Sequence, residues 1–334
     1  MMQKEITSYE EKRDQMAYYE NRMGDLNQTF AYYCSSWLSV NCTCLKVSSL
    51  IKYERDIGKH IIPFFGADHP CDITSEKVTA FTKMLLQERE LSPKTVRNIL
   101  ALFHAIFLYA KKKNGFRFQE LDIVYPKENR KVVRVLDERE EERFIRFLAK
   151  EMDIFKLGVY MALRTGMRIG EICALRWRDI SFETYTISIC HTAQRIRHMD
   201  ENSDKKTKVM IGTPKSESSR RIIPLMPDLA ALCTRFRRTG SKTFVLTGTD
   251  QCMDPRKLQR RLKVYTEMCG MEEVHFHTLR HTFATRCIEA GFDVKTLSEI
   301  LGHSNIGITM NQYVHPNLDL KRENMNRLKI VFPF

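Results

Sequence analysis

The amino-acid sequence predicts a mainly α protein with a small antiparallel β-sheet, which places it in the α+β class. Apolar residues recur at intervals of three and four along most of the 334 positions, as they do in amphipathic helices. Between positions 185 and 225 the pattern changes to alternation, which is typical of strands with one buried face. Glycine and proline stand at the ends of the helical stretches. A chain of this length is expected to form about two domains.

The composition favours a polyanionic partner. The net charge is +13 and the isoelectric point is about 9.2. Apolar residues make up 43% of the chain, which argues against a disordered basic tail. Such a surplus of positive charge favours either nucleic acid or an anionic membrane surface. No stretch approaches the roughly 18 apolar residues of a membrane span, so no span is predicted.

The first residues and the cysteines indicate a cytoplasmic protein. The start, MMQKEITSYEEKRD, lacks the apolar segment of a signal peptide. The ten cysteines are therefore expected to be reduced thiols, most of them filling the core. Cys42 and Cys44 have no second pair at zinc-ribbon spacing, so no zinc knuckle is predicted.

A small all-helical domain is predicted over residues 30–113. Within HIIPFFG, Pro63 and Gly66 are expected to break the chain. Ser92 and Pro93 are typical of a helix start, with the serine as cap and the proline in the first turn.

Two polar segments flank this domain. Residues 1–29 are charged and are predicted to be an N-terminal extension, either one peripheral helix or mobile chain. Residues 114–134 are basic and weakly periodic, and are predicted to be a linker that stretches across phosphates. A solvated charge run without a partner is the alternative for the lysines of this region.

The second domain is predicted over residues 135–316. It begins with the helix DEREEERFIRFLAKE, and a further helix leads into RTGMRIGEICALRW, where Gly166 marks a sharp turn. Arg168 is therefore predicted at or near a helix N-terminus, where backbone N–H groups favour an anion. Glu171, three residues later, could orient the guanidinium group. The alternative is an ordinary solvated arginine.

Three short alternating runs follow: residues 185–189, residues 209–211, and a run that begins at Arg220. They are predicted to form one small antiparallel sheet, to which residues 244–246 add a short strand. Lys215 falls on the turn before the third run, where a lysine normally faces solvent.

Basic residues supply candidate phosphate contacts in both domains. The helix predicted over residues 255–269 has a basic face, which is the footprint expected for phosphate contact. The candidates on this helix are Arg256, Lys257, Arg260 and Arg261. The candidates in the first domain are Lys94, Arg97, Lys111, Lys112 and Lys113.

The stretch from His277 to Tyr313 concentrates polar residues where helix packing alone would not put them. His277 and Arg280 share one helix face because they are three residues apart. Gly302 is predicted to cap a second short helix in the left-handed conformation, and His303 follows it directly. A third short helix would carry Tyr313 and end near position 316. These turns bring the four polar side chains within reach of one point.

Each of these residues also has an ordinary interpretation. A tyrosine before a helix end is usually half-buried, and a histidine after a cap is usually a polar loop residue. A zinc site is a sharper alternative, since His277 and His281 are four residues apart. That motif has an acidic base between its histidines, whereas Arg280 stands here and would repel a dication. No metal site is therefore predicted.

Phosphodiester chemistry fits the residue types. Charge develops on the two non-bridging oxygens in the transition state, and guanidinium groups match these oxygens with paired hydrogen bonds. Arg168 and Arg280 could therefore replace a metal ion. Tyr313, with a reference pKa of about 10, needs cationic neighbours to stabilise its phenolate. Lys215 could protonate the leaving oxygen if nearby arginines depress its pKa.

Five motifs, in order, resemble the catalytic boxes of the tyrosine recombinase family, the phage-type integrases. They are RTGMRIGEICALRW, TPKSESSRRIIPL, HTLRHTFAT, LGHSN and the tyrosine ten residues after His303. HIIPFFG and LSPKTVRNIL resemble the helical core-binding domain of that family. The resemblance implies a SAM-like helical core-binding domain followed by a tyrosine recombinase catalytic domain.

The resemblance also implies which residues hold the phosphate. Arg168 and Arg280 would bind the scissile phosphate, and Glu171 would support the first arginine. His303 would donate a hydrogen bond to the phosphate.

The remaining roles concern the nucleophile and the protons. Tyr313 would attack to form a 3′-phosphotyrosyl bond, which the 5′-hydroxyl of another strand later resolves. His277 would serve as acid or base on the tyrosine side. Lys215 would protonate the leaving 5′ oxygen, and Lys206 and Lys208 are lesser candidates because a polar insert precedes this hairpin.

The resemblance further implies site-specific double-stranded DNA as the partner and a homo-tetramer acting through a Holliday junction. No metal, ATP or other cofactor is expected. An accessory DNA-bending or directionality factor is a further expected partner. Residues 317–334 are expected to dock on a neighbouring subunit, with an intramolecular cap as the alternative. A tyrosine-type topoisomerase and an inactive DNA-binding relative are the alternative functions.

Overall fold

The computed structural model describes residues 28–114, 120–128, 133–197, 207–214, 217–237, 240, 242–313, 322, 325 and 326. The chain divides into two compact units, residues 1–130 and 131–334. The predicted extension, apart from positions 28 and 29, and most of the predicted C-terminal segment lie outside the described residues. Within the described ranges, no helix combines the length and the apolar character that a bilayer span needs.

The first unit is helical in its described part. Its elements are α1 (Phe30–Asn41), α2 (Val47–Asp56), a π turn (Ile57–Ile61), α3 (Ile62–Phe65), a 3₁₀ turn (Pro70–Asp72), α4 (Ser75–Lys83), a π turn (Met84–Glu88) and α5 (Pro93–Asn114). Ser92 Oγ accepts a hydrogen bond from the Thr95 N–H at 3.3 Å, so the serine caps α5 as its position before Pro93 predicts.

Aromatic side chains fill the core of this unit. Phe30, Phe65, Phe81 and Phe103 are fully buried. The rings of Phe65 and Phe103 stack with their centroids 4.6 Å apart. Such pairs contribute about 0.5–1.5 kcal/mol beyond the area they bury.

The prediction that Pro63 breaks the chain is wrong. The π turn before α3 widens the helix by one residue, and the proline then falls in the first turn of α3, where its missing N–H is tolerated. Gly66 does end the helix, and its N–H donates to the Ile62 carbonyl at 2.8 Å.

Residues 120–128 of the predicted linker belong to the first unit and pack against it. Leu121, Ile123 and Tyr125 contact its hydrophobic core. Arg97 lies 5.4 Å above the ring of Tyr125 and donates to the Pro126 carbonyl at 3.2 Å. These residues therefore lie along α5, and their contact with phosphates stays a prediction.

The second unit combines eight described helices with short strands. They are α6 (Glu138–Ala149), α7 (Ile154–Thr165), α8 (Ile169–Ala174), β1 (Ile180–Ser181), β2 (Thr186–Ile189), β3 (Thr192–Arg197), β4 (Thr207–Gly212), β5 (Arg221–Pro224), α9 (Pro227–Phe236), α10 (Pro255–Met268), α11 (Phe276–Glu289), α12 (Val294–Leu301) and α13 (Ile306–Tyr313). Helix α7 packs against α6, α8, α9, α10 and α11.

The predicted single sheet is two sheets. Strand β2 pairs with β1 and β5, whereas β4, which contains the predicted run at residues 209–211, pairs with β3. Alternation shows that a strand has one buried face but does not show which neighbour completes its hydrogen bonds. The predicted strand at residues 244–246 is a turn that carries one isolated bridge, between Phe244 and Arg176.

Two glycines in the left-handed conformation end helices, and they set where the polar residues that follow them lie. Gly166 ends α7 with φ of 63°, and a Cβ there would lie 2.5 Å from a ring carbon of Phe283. Gly302 ends α12 with φ of 67°. Both positions were predicted as turns, and both require the freedom of glycine.

Candidate active site

Three arginines meet at the carboxyl end of α12. Their bonds run from Arg221 Nε to the Ile300 carbonyl, from Arg280 Nη2 to the Leu301 carbonyl at 2.7 Å, and from Arg168 Nη2 to the Gly302 carbonyl at 3.1 Å. The last carbonyls of a helix have no partners within it and form the negative end of its dipole. The carboxyl end of α12 therefore binds three guanidinium groups, which come from β5, from α11 and from the residue before α8.

Glu171, which lies on α8, binds two of these arginines. Its two carboxylate oxygens accept from Arg221 Nη1 at 3.0 Å and Nη2 at 2.8 Å. The same carboxylate accepts from Arg168 Nη1 at 2.8 Å and from the Arg168 backbone N–H at 2.9 Å. Burial by itself raises the pKa of Glu171, but the hydrogen bonds and charge of Arg221, together with Arg168, outweigh it and lower the pKa.

Removing this carboxylate is expected to destabilise the chain. In a Glu171→Gln variant, Arg221 stays buried without its counter-charge, so the free energy of unfolding at pH 7 should fall by about 3 kcal/mol. The pKa of Glu171 is lowered by folding, so its stabilisation is present above the unfolded pKa of about 4.3 and is lost as the pH falls through the folded value. The difference between wild type and variant should therefore shrink below about pH 4.

Chemical unfolding of the full chain at pH 7 and in acid measures this effect. Glu142→Gln is the matched control, because Glu142 pairs with Arg146 on the exposed face of α6. That change should cost less than about 0.5 kcal/mol. A loss at Glu171 no larger than at Glu142 would contradict the structural role of the buried pair.

Arg280 is almost completely enclosed, with 3% of its surface exposed. Its Nη1 donates to the Gly166 carbonyl at 2.7 Å, and its Nη2 donates to the Leu301 carbonyl and to Nε2 of His303. A guanidinium group has five N–H bonds, and three of these have partners among the described residues. Burial and then the charge of Arg168 lower the pKa of Arg280 to about 9, and the group stays charged at neutral pH.

The arginine cluster has an excess of positive charge. Arg168, Arg221 and Arg280 carry three positive charges, and Glu171 supplies the one buried carboxylate that faces them among the described residues. The excess of two positive charges matches the charge of about −2 that a phosphodiester would reach in a pentacoordinate transition state. Arg168 keeps 34% of its side chain exposed. Arg168 also stands directly before α8, as the sequence predicts for an anion-binding position.

His303 is neutral and already bonded on both ring nitrogens. Its Nε2 lies 2.9 Å from Arg280 Nη2, and its Nδ1 lies 2.8 Å from the buried Thr309 hydroxyl. Since the guanidinium can only donate, this network assigns the proton to Nδ1. Burial, then Arg280 and Arg168, lower the pKa of His303 to about 4. The predicted hydrogen bond to phosphate requires this network to rearrange, and it stays a prediction.

Tyr313 lies at the end of α13 in an apolar cluster with Ala284, Leu297 and Leu301. Its hydroxyl oxygen is 2.5 Å from Nδ1 of His281. Burial raises the pKa of Tyr313 to about 12, although Arg280 and Arg168 act in the opposite direction. The cationic neighbours expected from the sequence are present, but burial outweighs their effect in this structure.

His277 lies one helical turn before His281 on α11. The side chain of His277 is exposed, and the ring centres of the two histidines are 6.2 Å apart. The histidine that contacts the phenol is therefore His281. The acid–base role predicted for His277 stays a prediction.

The predicted general acid, Lys215, lies outside the described residues, and so does Lys206. Lys208 is on β4, opposite Ile196 of β3. Strand β3 packs against α8, the helix that carries Glu171. The contribution of a lysine to the site thus stays a prediction.

The basic residues of α10 are exposed, and two of them cover an aromatic ring. Lys257 and Arg261 lie 5.4 and 5.2 Å from the centre of the Phe155 ring. Arg256 and Arg260 are also exposed. Contact of these four residues with DNA stays a prediction.

The candidates of the first unit lie on α5. Lys94 is 3.4 Å from Glu128, and Lys113 lies over the ring of Tyr109 at 5.6 Å. Lys111, Lys112 and Lys113 occupy the last turn of α5, where positive charge complements the helix dipole. Their contact with DNA also stays a prediction.

Sequence reasoning missed Arg221, His281 and Thr309. Arg221 lies within the TPKSESSRRIIPL motif, but nothing in that motif distinguishes it from its neighbour Arg220. His281 lies four residues after His277, so the two share a helix face. This spacing is the sequence signal that could have indicated His281. No sequence signal indicates Thr309.

The family of the chain follows from comparison with known proteins. Residues 134–319 match the phage integrase family, which is more than half of the chain. The chain belongs to the phage integrase family, the tyrosine recombinases. The family and the fold class predicted from the sequence are confirmed.

Individual relatives agree with this assignment. A XerC-like tyrosine recombinase of Caldanaerobacter subterraneus subsp. tengcongensis is 33% identical over 171 residues, which are 46% of this chain and 44% of that protein. The chain thus spans less than half the length of this relative. The ICEBs1 integrase of Bacillus subtilis is 25% identical over 308 residues, which are 87% of this chain and 81% of that protein.

A solved structure shares the fold. The Tn1549 transposon integrase in complex with transposon right end DNA aligns over 91% of this chain and 100% of the solved chain. The TM-score is 0.75 and the sequence identity is 23%.

Proposed function

We propose that this chain is a site-specific DNA recombinase that cuts and rejoins DNA strands through a 3′-phosphotyrosyl intermediate and a Holliday junction. The integration or excision of a mobile element, or the inversion of DNA, would be the outcome. The observation that carries the proposal is the convergence of Arg168, Arg280, His303 and Tyr313 around the carboxyl end of α12.

The arginines perform the first step, which is capture of the scissile phosphate. The free N–H groups of Arg280 and the exposed edge of Arg168 would bind the two non-bridging oxygens. Glu171 holds Arg168 in place through the bond between its carboxylate and Nη1. Because Arg280 is buried, its bonds to the phosphate form at low dielectric, where they stabilise the transition state more than in water.

Strand cleavage follows as an in-line attack. The Tyr313 oxygen bonds to phosphorus, and the 5′ oxygen leaves with a proton, for which Lys215 is the proposed donor. His277 is proposed as an acid or base on the tyrosine side, and His303 as a ligand of the phosphate. The 5′-hydroxyl of a second strand then attacks the phosphotyrosine and releases the phenol. One phosphoester replaces another, so the chemistry requires neither ATP nor a metal ion.

Recombination also requires several subunits. We propose a homo-tetramer on double-stranded DNA in the cytoplasm, with residues 317–334 docked on a neighbouring subunit and an accessory DNA-bending or directionality factor. The basic residues of α5 and α10 would contact phosphates, so binding should weaken as salt increases.

Exchange between two DNA duplexes tests this function. The DNA on either side of the gene supplies candidate sites, and two differently labelled duplexes that carry such a site are incubated with the full chain. Products that join the two labels are expected, and the Tyr313→Phe variant should form none. Relaxation of supercoiled DNA without joined products would indicate a topoisomerase. Binding without any strand cleavage would indicate an inactive relative.

A further inference from the structure

The phenol of Tyr313 has a specific partner. His281 Nδ1 and the Tyr313 hydroxyl oxygen are 2.5 Å apart, although the two residues are 32 positions apart in the chain. Their helices, α11 and α13, pack together in the cluster that buries the tyrosine ring. The structure shows no second hydrogen-bond partner for this hydroxyl among the residues it describes. The contact therefore lies where α13 packs on α11.

The direction of this hydrogen bond follows from the environment. Burial, then His277 and Arg280, lower the pKa of His281 to about 4, so the imidazole is neutral at pH 7. Burial raises the pKa of Tyr313 to about 12, so the phenol keeps its proton. Because the hydroxyl has no other acceptor among the described residues, we assign it as the donor and the neutral Nδ1 of His281 as the acceptor. A proton acceptor already faces the oxygen that must become the nucleophile.

A general base must lie within about 2.6–3.2 Å of the group that it deprotonates, or reach it through one water. His281 meets this condition directly. His277 is exposed, and its ring centre is 6.2 Å from that of His281. A bound phosphodiester would also place a negative charge beside Arg280 and so oppose the effect of that arginine on His281.

We propose that His281 is a further catalytic residue, which in place of His277 takes the proton of Tyr313 during strand cleavage and returns it during rejoining. This proposal rests on the proposed function, since it requires Tyr313 to be the nucleophile.

The proton and electron pairs balance in both directions. In cleavage, the O–H bond of Tyr313 breaks, its proton bonds to His281 Nδ1, and the oxygen lone pair forms the bond to phosphorus. The bond from phosphorus to the 5′ oxygen breaks, and that oxygen receives a separate proton. In rejoining, the 5′-hydroxyl attacks phosphorus, the Tyr313 oxygen leaves, and His281 protonates it.

Two variants separate proton transfer from positioning. His281→Ala removes the contact. His281→Asn replaces the imidazole with an amide whose oxygen can accept the same hydrogen bond but is not basic. Both variants are expected to slow formation of the covalent adduct on a nicked suicide substrate by about 10²- to 10⁴-fold, the range for general acid–base catalysis.

A second substrate bypasses the proposed step. DNA ending in a 3′-p-nitrophenyl phosphate carries a leaving group that needs no proton, and attack by a 5′-hydroxyl strand releases coloured p-nitrophenolate. This reaction is measured in a Tyr313→Gly background, which vacates space for the nitrophenyl ring. Adding His281→Asn to this background should leave the rate unchanged, because the phosphate-binding groups are intact.

Each combination of results supports or overturns the role proposed for His281. Slow cleavage with an unchanged nitrophenyl reaction supports His281 as the acid and base. Wild-type cleavage by His281→Asn would overturn the proposal, and so would equal losses in both assays, which would indicate a structural role. If the wild-type chain forms no adduct, or if Tyr313→Phe still forms one, the proposed function has failed instead.

Discussion

Replacing Tyr313 with phenylalanine is expected to abolish the covalent adduct between protein and DNA while leaving DNA binding intact. The change removes only the hydroxyl, so the ring still fills its cluster with Leu297 and Leu301. The lost hydrogen bond to His281 should cost about 1 kcal/mol of stability. A nicked suicide substrate followed by a denaturing gel measures the adduct, and a mobility-shift assay measures binding.

Tyr160→Phe is the matched control for this change. Tyr160 and Tyr313 are both 9% exposed, and the Tyr160 hydroxyl donates a hydrogen bond to Asp228. The control should form the adduct at the wild-type level, because its hydroxyl lies outside the arginine cluster. An adduct that survives Tyr313→Phe would refute Tyr313 as the nucleophile.

Changes at Arg280 are expected to have the second large effect. Arg280→Ala and Arg280→Lys should both lower the single-turnover cleavage rate by about 10³- to 10⁵-fold, the range for one arginine in phosphoryl transfer. Lysine keeps the charge but cannot supply paired hydrogen bonds to two oxygens. It also cannot reproduce the three bonds to Gly166, Leu301 and His303.

The Arg280→Lys variant distinguishes a loss of catalysis from a loss of folding, because lysine keeps a long cationic side chain. Arg286→Ala is the control on the same helix. Arg286 binds Glu141, Glu289 and the Leu136 carbonyl instead of the site. Cleavage by the Arg286 variant should stay near the wild-type rate at saturating DNA. A rate for Arg280→Lys within about tenfold of wild type, a difference of only 1.4 kcal/mol, would contradict the role of the guanidinium group.

Local sequence signals predicted the parts of the site that are fixed by local structure. Gly166 indicated a sharp turn and Gly302 a left-handed cap, and both turns are present because glycine adopts positive φ without strain. The same glycines placed Arg168 before α8 and His303 after α12. The helical and alternating periods similarly predicted a mainly α fold with short strands.

Contacts between distant elements were beyond sequence reasoning. The pairing of β3 with β4 depends on register, which alternation does not specify. The pair between Glu171 and Arg221 spans 50 positions, and nothing local distinguishes Arg221 from its neighbour Arg220. The pKa of Tyr313 depends on burial against nearby charge, and the sequence shows the charges but not the burial.

The central claim is that buried guanidinium groups, without a bound cation, enable the phenol of Tyr313 to break a DNA strand. Trapping the adduct on a nicked substrate in excess chelator, and locating the DNA-linked residue by mass spectrometry, tests this claim most directly. We expect full adduct formation and a single modified peptide, which contains Tyr313. An adduct on another residue, or an adduct that forms only when a divalent metal is restored, would contradict it.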